Sequence, residues 1–187
     1  MKIILLFSII GLIFSNNFKI NQDIKHSYID NQIEISISKY KKDYNIYKKK
    51  NYWKNEHKNV IIKKVNKYLN STMENKGKFI VEYSISKGVD PYLTTAVMLQ
   101  ETGCYWTCSY LTRVCNNVGG NKGGPSCNGG SYKRFDTIEE GMKFAIDKLA
   151  GYYKKGLTTA KEINPRYAED KTWYVKVNNY IKKMKNS

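Results

Sequence analysis

Glu101 is the single carboxylate between Asp90 and Asp136, and it lies two residues before a glycine that opens a cysteine-rich and glycine-rich stretch. The segment leading to it, Asp90-Pro91-Tyr92-Leu93-Thr94-Thr95-Ala96-Val97-Met98-Leu99-Gln100-Glu101-Thr102-Gly103, reads as a helix. Asp90 stands at the N-cap, Pro91 at the first helical position and Gly103 at the stop. Leu93, Ala96, Val97 and Gln100 share a face, which puts Glu101, four residues after Val97, beside the buried stripe. A carboxyl there is partly desolvated and meets the negative end of the helix dipole. Both effects disfavour the anion and raise the pKa, as a general acid working near neutral pH requires. The plain alternative is a solvated glutamate in the last turn.

All four cysteines, Cys104, Cys108, Cys115 and Cys127, follow Glu101 within one short window. An even, clustered count in an exported chain favours two disulfides, with three connectivities open. A four-thiolate zinc site is the rival. It is disfavoured because His26 and His57 are remote in sequence and no paired two-residue spacing occurs, so neither a metal nor a cofactor is expected. The cross-links would hold a loop with little apolar content of its own.

Elements must position these groups. Ser71 with Glu74 is expected to cap a helix through Phe79, Ile80, Tyr83 and Ile85 that ends at Gly88. The Glu101 helix comes next, followed by residues 116–135, where six glycines and the lone aliphatic Val118 predict turns or a short hairpin. Thr137 with Glu140 caps a helix through Met142, Ala145, Ile146 and Leu149; Asn164-Pro165 breaks the chain; and Trp173, Val177, Tyr180, Ile181 and Met184 predict a final amphipathic helix. Ahead of this, Tyr52 to Leu69 has helical spacing at Ile61, Val65 and Tyr68, as a first helix of the domain or a stalk leading to it. Residues 16–50 mix two periods: Ile33, Ile35 and Ile37 alternate as in a strand, whereas Tyr40, Tyr44 and Tyr47 recur as in a helix. The expected fold class is therefore mainly α, a helical domain with a short irregular or β-hairpin lobe that makes a cleft, preceded by a basic N-terminal extension.

The N-terminus reads as an export signal over residues 1–15, with Lys2 followed by an apolar run from Ile3 to Phe14. A spanning helix needs about 20 apolar residues, so secretion or a cell-surface location is expected, the alternative being an uncleaved signal that tethers the chain. The 187 residues carry 32 basic and 16 acidic side chains, a formal charge of +16, with lysines crowding residues 40–67. An anionic partner such as a wall polymer follows; nucleic acid is disfavoured by the compartment and by the scarcity of arginine, and a monomer is expected.

Four pieces of sequence, in order, resemble the bacterial glucosaminidase family of the lysozyme superfamily. They are Leu93 to Gly103, then Asn116-Asn117-Val118-Gly119-Gly120-Asn121-Lys122-Gly123, then Tyr132 to Gly141, then Asn164-Pro165-Arg166-Tyr167-Ala168. The resemblance covers about Ser71 to Met184, and a Trp-containing final helix also fits. It implies a lysozyme-like domain over residues 71–187 behind a lysine-rich extension or stalk over 16–70. It further implies cleavage of peptidoglycan glycan strands at the N-acetylglucosamine to N-acetylmuramic acid linkage, with Glu101 as proton donor, Asn116 and Asn117 as the paired amides shaping the cleft, and Tyr167 facing the glutamate. Trp106 and Tyr132 are candidate sugar-stacking residues, with core or rim packing as the alternative. No carboxylate lies between Glu101 and Asp136, so the substrate's own N-acetyl group or 6-hydroxyl is expected to replace a second acid, giving hydrolysis or, by lytic transglycosylation, an anhydro product. A catalytically silent wall-binding protein is the alternative from another class.

Overall fold

The structure, a computed structural model, describes residues 29–42 and 52–187. The chain divides into two units, Met1–Lys49 and Lys50–Ser187. In the first, residues 29–42 form a helix, α1, exposed along its whole length. Helix prevails over the Ile33-Ile35-Ile37 alternation for a reason of local chemistry: a helix pairs its own N–H and C=O groups, whereas a lone strand leaves them unmatched. The expected signal segment over 1–15 lies outside the described residues. Among those residues no helix is long and apolar enough to cross a membrane.

The second unit is built from α2 (Lys58–Asn66), α3 (Gly77–Ser86), α4 (Pro91–Thr102), α5 (Tyr110–Cys115), α6 (Ile138–Tyr153), α7 (Ala160–Tyr167) and α8 (Trp173–Lys185), with short 3-10 turns at Tyr52–Asn55, Ser71–Met73 and Cys104–Trp106. The described chain is thus mainly α and contains no strand. α4 is the axis of the unit. Every residue from Pro91 to Leu99 is buried, and α4 packs against α2, α3, α6 and α8. A helix enclosed on all sides needs no polar face, which is why its apolar residues do not form a narrow stripe. Its hydroxyls are satisfied locally: Thr95 donates to the Pro91 carbonyl at 2.8 Å, Thr102 to the Met98 carbonyl at 3.0 Å, and Ser84 of α3 to Thr94 at 3.1 Å.

Four expectations are corrected here. The core begins well before residue 71, because Trp53, Ile61, Val65 and Leu69 are buried in it; of the two readings of Tyr52 to Leu69, first helix of the domain or stalk, the packing supports the first, and the compact unit starts at about residue 50. Ser71 does not cap a helix. It sits at φ +53°, outside the extended region that an N-cap requires, and its carbonyl accepts from the Glu74 N–H to close a 3-10 turn. α3 starts later, at Gly77, whose N–H donates to Asn66 Oδ1 at 3.0 Å; a Cβ on Gly77 would lie 2.2 Å from that oxygen, so a larger residue there would displace the Asn66 side chain that caps the junction. Asn164-Pro165 does not break the chain either, since Pro165 lies inside α7. The carbonyl it leaves without a helical partner belongs to Lys161, an exposed residue, and the helix ends two residues later at Tyr167.

Residues 116–136 make an irregular lobe with two isolated antiparallel bridges, Lys122 with Tyr132 and Ser126 with Lys133. A common ladder would pair Ser126 near Asn128, four residues back from Tyr132; the second bridge is out of that register, so no hairpin strand forms. Cys115 at the end of α5 is disulfide-bonded to Cys127 in the lobe, Cys108 is also disulfide-bonded, and no free cysteine occurs among the described residues.

Candidate active site

Glu101 occupies the last turn of α4, as its frame predicts. Asp90 accepts from the Tyr92 N–H at 2.9 Å, Pro91 opens the helix, and Gly103, at φ +63°, donates to the Leu99 carbonyl at 3.1 Å. The carboxyl is half-buried and gripped from two sides. Trp173, the first residue of α8 and itself buried, donates its indole N–H to Oε1 at 3.0 Å. Gly120 of the lobe lies against Oε2, close enough that a Cβ there would stand 3.1 Å from the oxygen. Gly120 also sits at φ +56°, so glycine is favoured both by the backbone and by the space.

Tyr167 and Lys148 pack around this pair. Tyr167, at the end of α7, packs its ring on Trp173 with centroids 4.8 Å apart, and its hydroxyl points at the Gly119 carbonyl, 3.5 Å away, instead of at the carboxylate. Lys148 of α6 holds its ammonium 4.4 Å from the centre of the Tyr167 ring, a cation–π arrangement. Burial raises the Glu101 pKa above the ordinary carboxylate range, and the Trp173 N–H and the Lys148 charge pull in the opposite direction. Burial likewise lowers the Lys148 pKa, with Glu101 opposing. Tyr167 is raised, by burial first and then by the Glu101 charge, so its phenol stays neutral.

Beside these groups runs a cleft of about 660 Å³ lined by Gly120, Asn121, Lys122, Phe144, Asp147, Lys148 and Tyr167. Asp147 is the second carboxylate in the neighbourhood, and it is engaged: it pairs with Lys87 at 2.9 Å and accepts from the Tyr83 hydroxyl at 3.1 Å. Glu139 and Glu140 do the work of first-turn residues on α6. Glu139 pairs with Lys76, and Glu140 accepts from the Asp136 N–H at 3.1 Å, with Thr137 as N-cap.

Other residues expected at the site lie elsewhere. Asn116 is the left-handed C-cap of α5 and donates its amide to the Phe135 and Asp136 carbonyls. Asn117 is buried, donating to the Asn121 and Lys133 carbonyls at 2.8 Å each and accepting from the Asn121 N–H at 2.9 Å. In a lobe without a ladder these two amides satisfy backbone groups, Asn117 holding the backbone of the cleft-lining Asn121, and have little left to offer a sugar. Trp106 is corrected outright: it is fully buried, with its indole N–H on the Tyr68 carbonyl at 2.7 Å. Tyr132 is exposed and bridged to Lys122, a lining residue, without lining the cleft itself.

Sequence reasoning missed Trp173, Gly120, Asn121 and Lys148 as site residues. Trp173 entered only through an amphipathic period and a Trp-containing final helix, Gly120 and Asn121 only as members of the glycine-rich stretch 116–123, and Lys148 as one lysine among many; no spacing brings any of them to Glu101. The fold and the site therefore define a mainly helical chain with a half-buried carboxyl that sits behind Gly120, beside a cleft whose lining includes Gly120, Lys148 and Tyr167 but not Glu101 itself. Compared with known proteins, the chain matches no family model and no curated sequence.

Proposed function

We propose that this protein is a secreted or surface-held glycoside hydrolase that cleaves peptidoglycan glycan strands at N-acetylglucosamine to N-acetylmuramic acid linkages, with Glu101 as the general acid. The observation that carries this reading is the Glu101 carboxyl itself: raised in pKa by burial, oriented by the Trp173 indole, and set against the cleft-lining Gly120. A protonated carboxyl delivers its proton to the glycosidic oxygen as the bond from that oxygen to C1 breaks, and the anion it leaves is stabilised by the Trp173 N–H and the Lys148 charge. With Asp147 engaged by Lys87 and Tyr83, the attack on C1 falls to the substrate's own acetamido oxygen or 6-hydroxyl. In the first case water then opens the intermediate and the product has a reducing end; in the second an anhydro end results. The basic chain, at +16, would hold the enzyme on an anionic wall.

The test is Glu101→Gln, nearly isosteric and still able to accept from Trp173. Release of soluble fragments from purified sacculi should fall by at least about a hundredfold, the usual weight of a general acid. Undiminished release would remove Glu101 from the mechanism, and product mass distinguishes the two fates of C1.

A further inference from the structure

One wall of the cleft is α6, and the residues it contributes, Phe144, Asp147 and Lys148, stand at the i, i+3 and i+4 positions of a single helical face. The opposite face, with Met142, Ala145, Ile146 and Leu149, is buried in the core. An outward position on such a helix is ordinarily polar. Phe144 is 41% exposed instead, and of the large hydrophobic residues exposed among the described residues it is the one that lines the cleft.

Among the described residues two aromatic side chains line the cleft, Phe144 and Tyr167, and they differ in how much of the ring is left open. The Tyr167 ring is taken up by its neighbours: Trp173 packs on it with centroids 4.8 Å apart, Tyr152 meets it at 6.2 Å, and the Lys148 ammonium lies 4.4 Å from its centre. The Phe144 ring is braced from the lobe. Phe135, itself buried, meets it with centroids 5.4 Å apart and the rings tilted by 54°, and Lys133, tethered to the Gly124 carbonyl, holds its ammonium 5.7 Å from the ring centre. These contacts fix the ring while leaving much of it in the open beside Asp147 and Lys148. An apolar surface held in place among charged groups is prepared for a ligand that is itself apolar on one face and polar around its edge.

We infer that Phe144 is the platform on which one sugar ring of the glycan stacks, next along the strand from the linkage that Glu101 protonates. A pyranose of the β-linked gluco series carries its hydroxyl and acetamido groups around its rim and its axial C–H bonds on its two faces. Such a ring lies flat on an aromatic side chain and turns its rim toward neighbouring charged groups, here Asp147 and Lys148. The spacing suits a polymer. Phe144 stands about 6 Å along α6 from Lys148, at roughly 1.5 Å per residue, which is comparable to the length of one sugar in a β-1,4 strand. Lys148 is in turn the α6 residue whose charge acts on Glu101. This inference rests on the glycan reading proposed above and adds a binding residue to it.

The experiment uses the full chain carrying Glu101→Gln, so that sugars bind without turnover, and calorimetric titration with the β-1,4-linked tetramer of N-acetylglucosamine. Adding Phe144→Leu, which keeps an apolar side chain against Phe135 but removes the flat face, should weaken tetramer binding by about tenfold with little change in melting temperature. Phe144→Tyr, which keeps the face, should stay within about twofold. A residue that only braced the lobe would instead move the melting temperature and leave the affinity alone. Phe144→Trp reads the contact directly and decides the matter if the leucine variant does not fold: the tetramer should change the indole emission beyond the change seen in the same chain without that substitution. An unchanged tetramer affinity in the leucine variant, an equal loss in the tyrosine variant, or no added emission change in the tryptophan variant overturns the inference and leaves the glycan reading in place. Failure to bind the tetramer with Phe144 intact overturns both.

Discussion

Trp173 and Lys148 act on Glu101 in the same direction, each favouring the anion, against a burial effect that favours the acid. Removing either should therefore raise the Glu101 pKa further. Trp173→Phe and Lys148→Met are each expected to move the alkaline limb of the pH–activity profile to higher pH, since the acid stays protonated longer; a limb that stays put or moves down would show that another group controls it. The same shift has a consequence for stability. A carboxyl whose folded-state pKa lies above its unfolded value favours folding fully at pH below the unfolded value, and that contribution is lost as pH rises through the folded value. As pH rises past the unfolded value, keeping this carboxyl in its desolvated site therefore costs stability. Glu101→Gln should then melt above the parent at pH 7 and level with it in acid, as followed by thermal denaturation across pH.

At the scale of elements, α2 is the part of the fold most open to doubt from sequence and most constrained by packing. Ile61 is fully buried, so Ile61→Ala should cost about 2–5 kcal/mol by denaturant unfolding. A chain begun at residue 71 should lose cooperative unfolding, while one begun at residue 50 keeps it. The Cys115–Cys127 link closes a short loop and ties the lobe to α5; replacing both cysteines with alanine should cost about 3 kcal/mol by the chain-entropy account, and an unchanged midpoint would show that the hydrogen bonds of Asn116 and Asn117 suffice. How much of this was legible in the sequence follows from where the information sits. Asp90, Pro91 and Gly103 act on their own helix, so the α4 frame and the place of Glu101 could be read directly. Thr137 and Glu140 likewise mark the start of α6. Trp173 reaches Glu101 across 72 residues, and Gly120 meets it by backbone proximity, contacts that no period or spacing encodes. Trp106 misled for a related reason: an aromatic in a loop reads as available until the carbonyl that captures its indole, on Tyr68, is known.

For the whole molecule, charge sets the terms of encounter. With 32 basic side chains against 16 acidic, attachment to anionic wall material should weaken steeply with salt, because the screening length contracts from about 10 Å at 0.1 M to about 3 Å at 1 M. Co-sedimentation of the Glu101→Gln protein with sacculi across that range checks it; retention independent of salt would point to the cleft, and not the lysines, as the anchor. The way the carboxyl is held has one more implication. Its three neighbours arrive from the lobe, from α6 and from α8, so a nascent chain that has made α4 but not yet α8 has a glutamate without its indole clasp. On the proposed reading of an exported hydrolase, competence for chemistry would come late in synthesis, after the stretch that carries Trp173 has emerged and docked, so that a chain in transit could not yet cut.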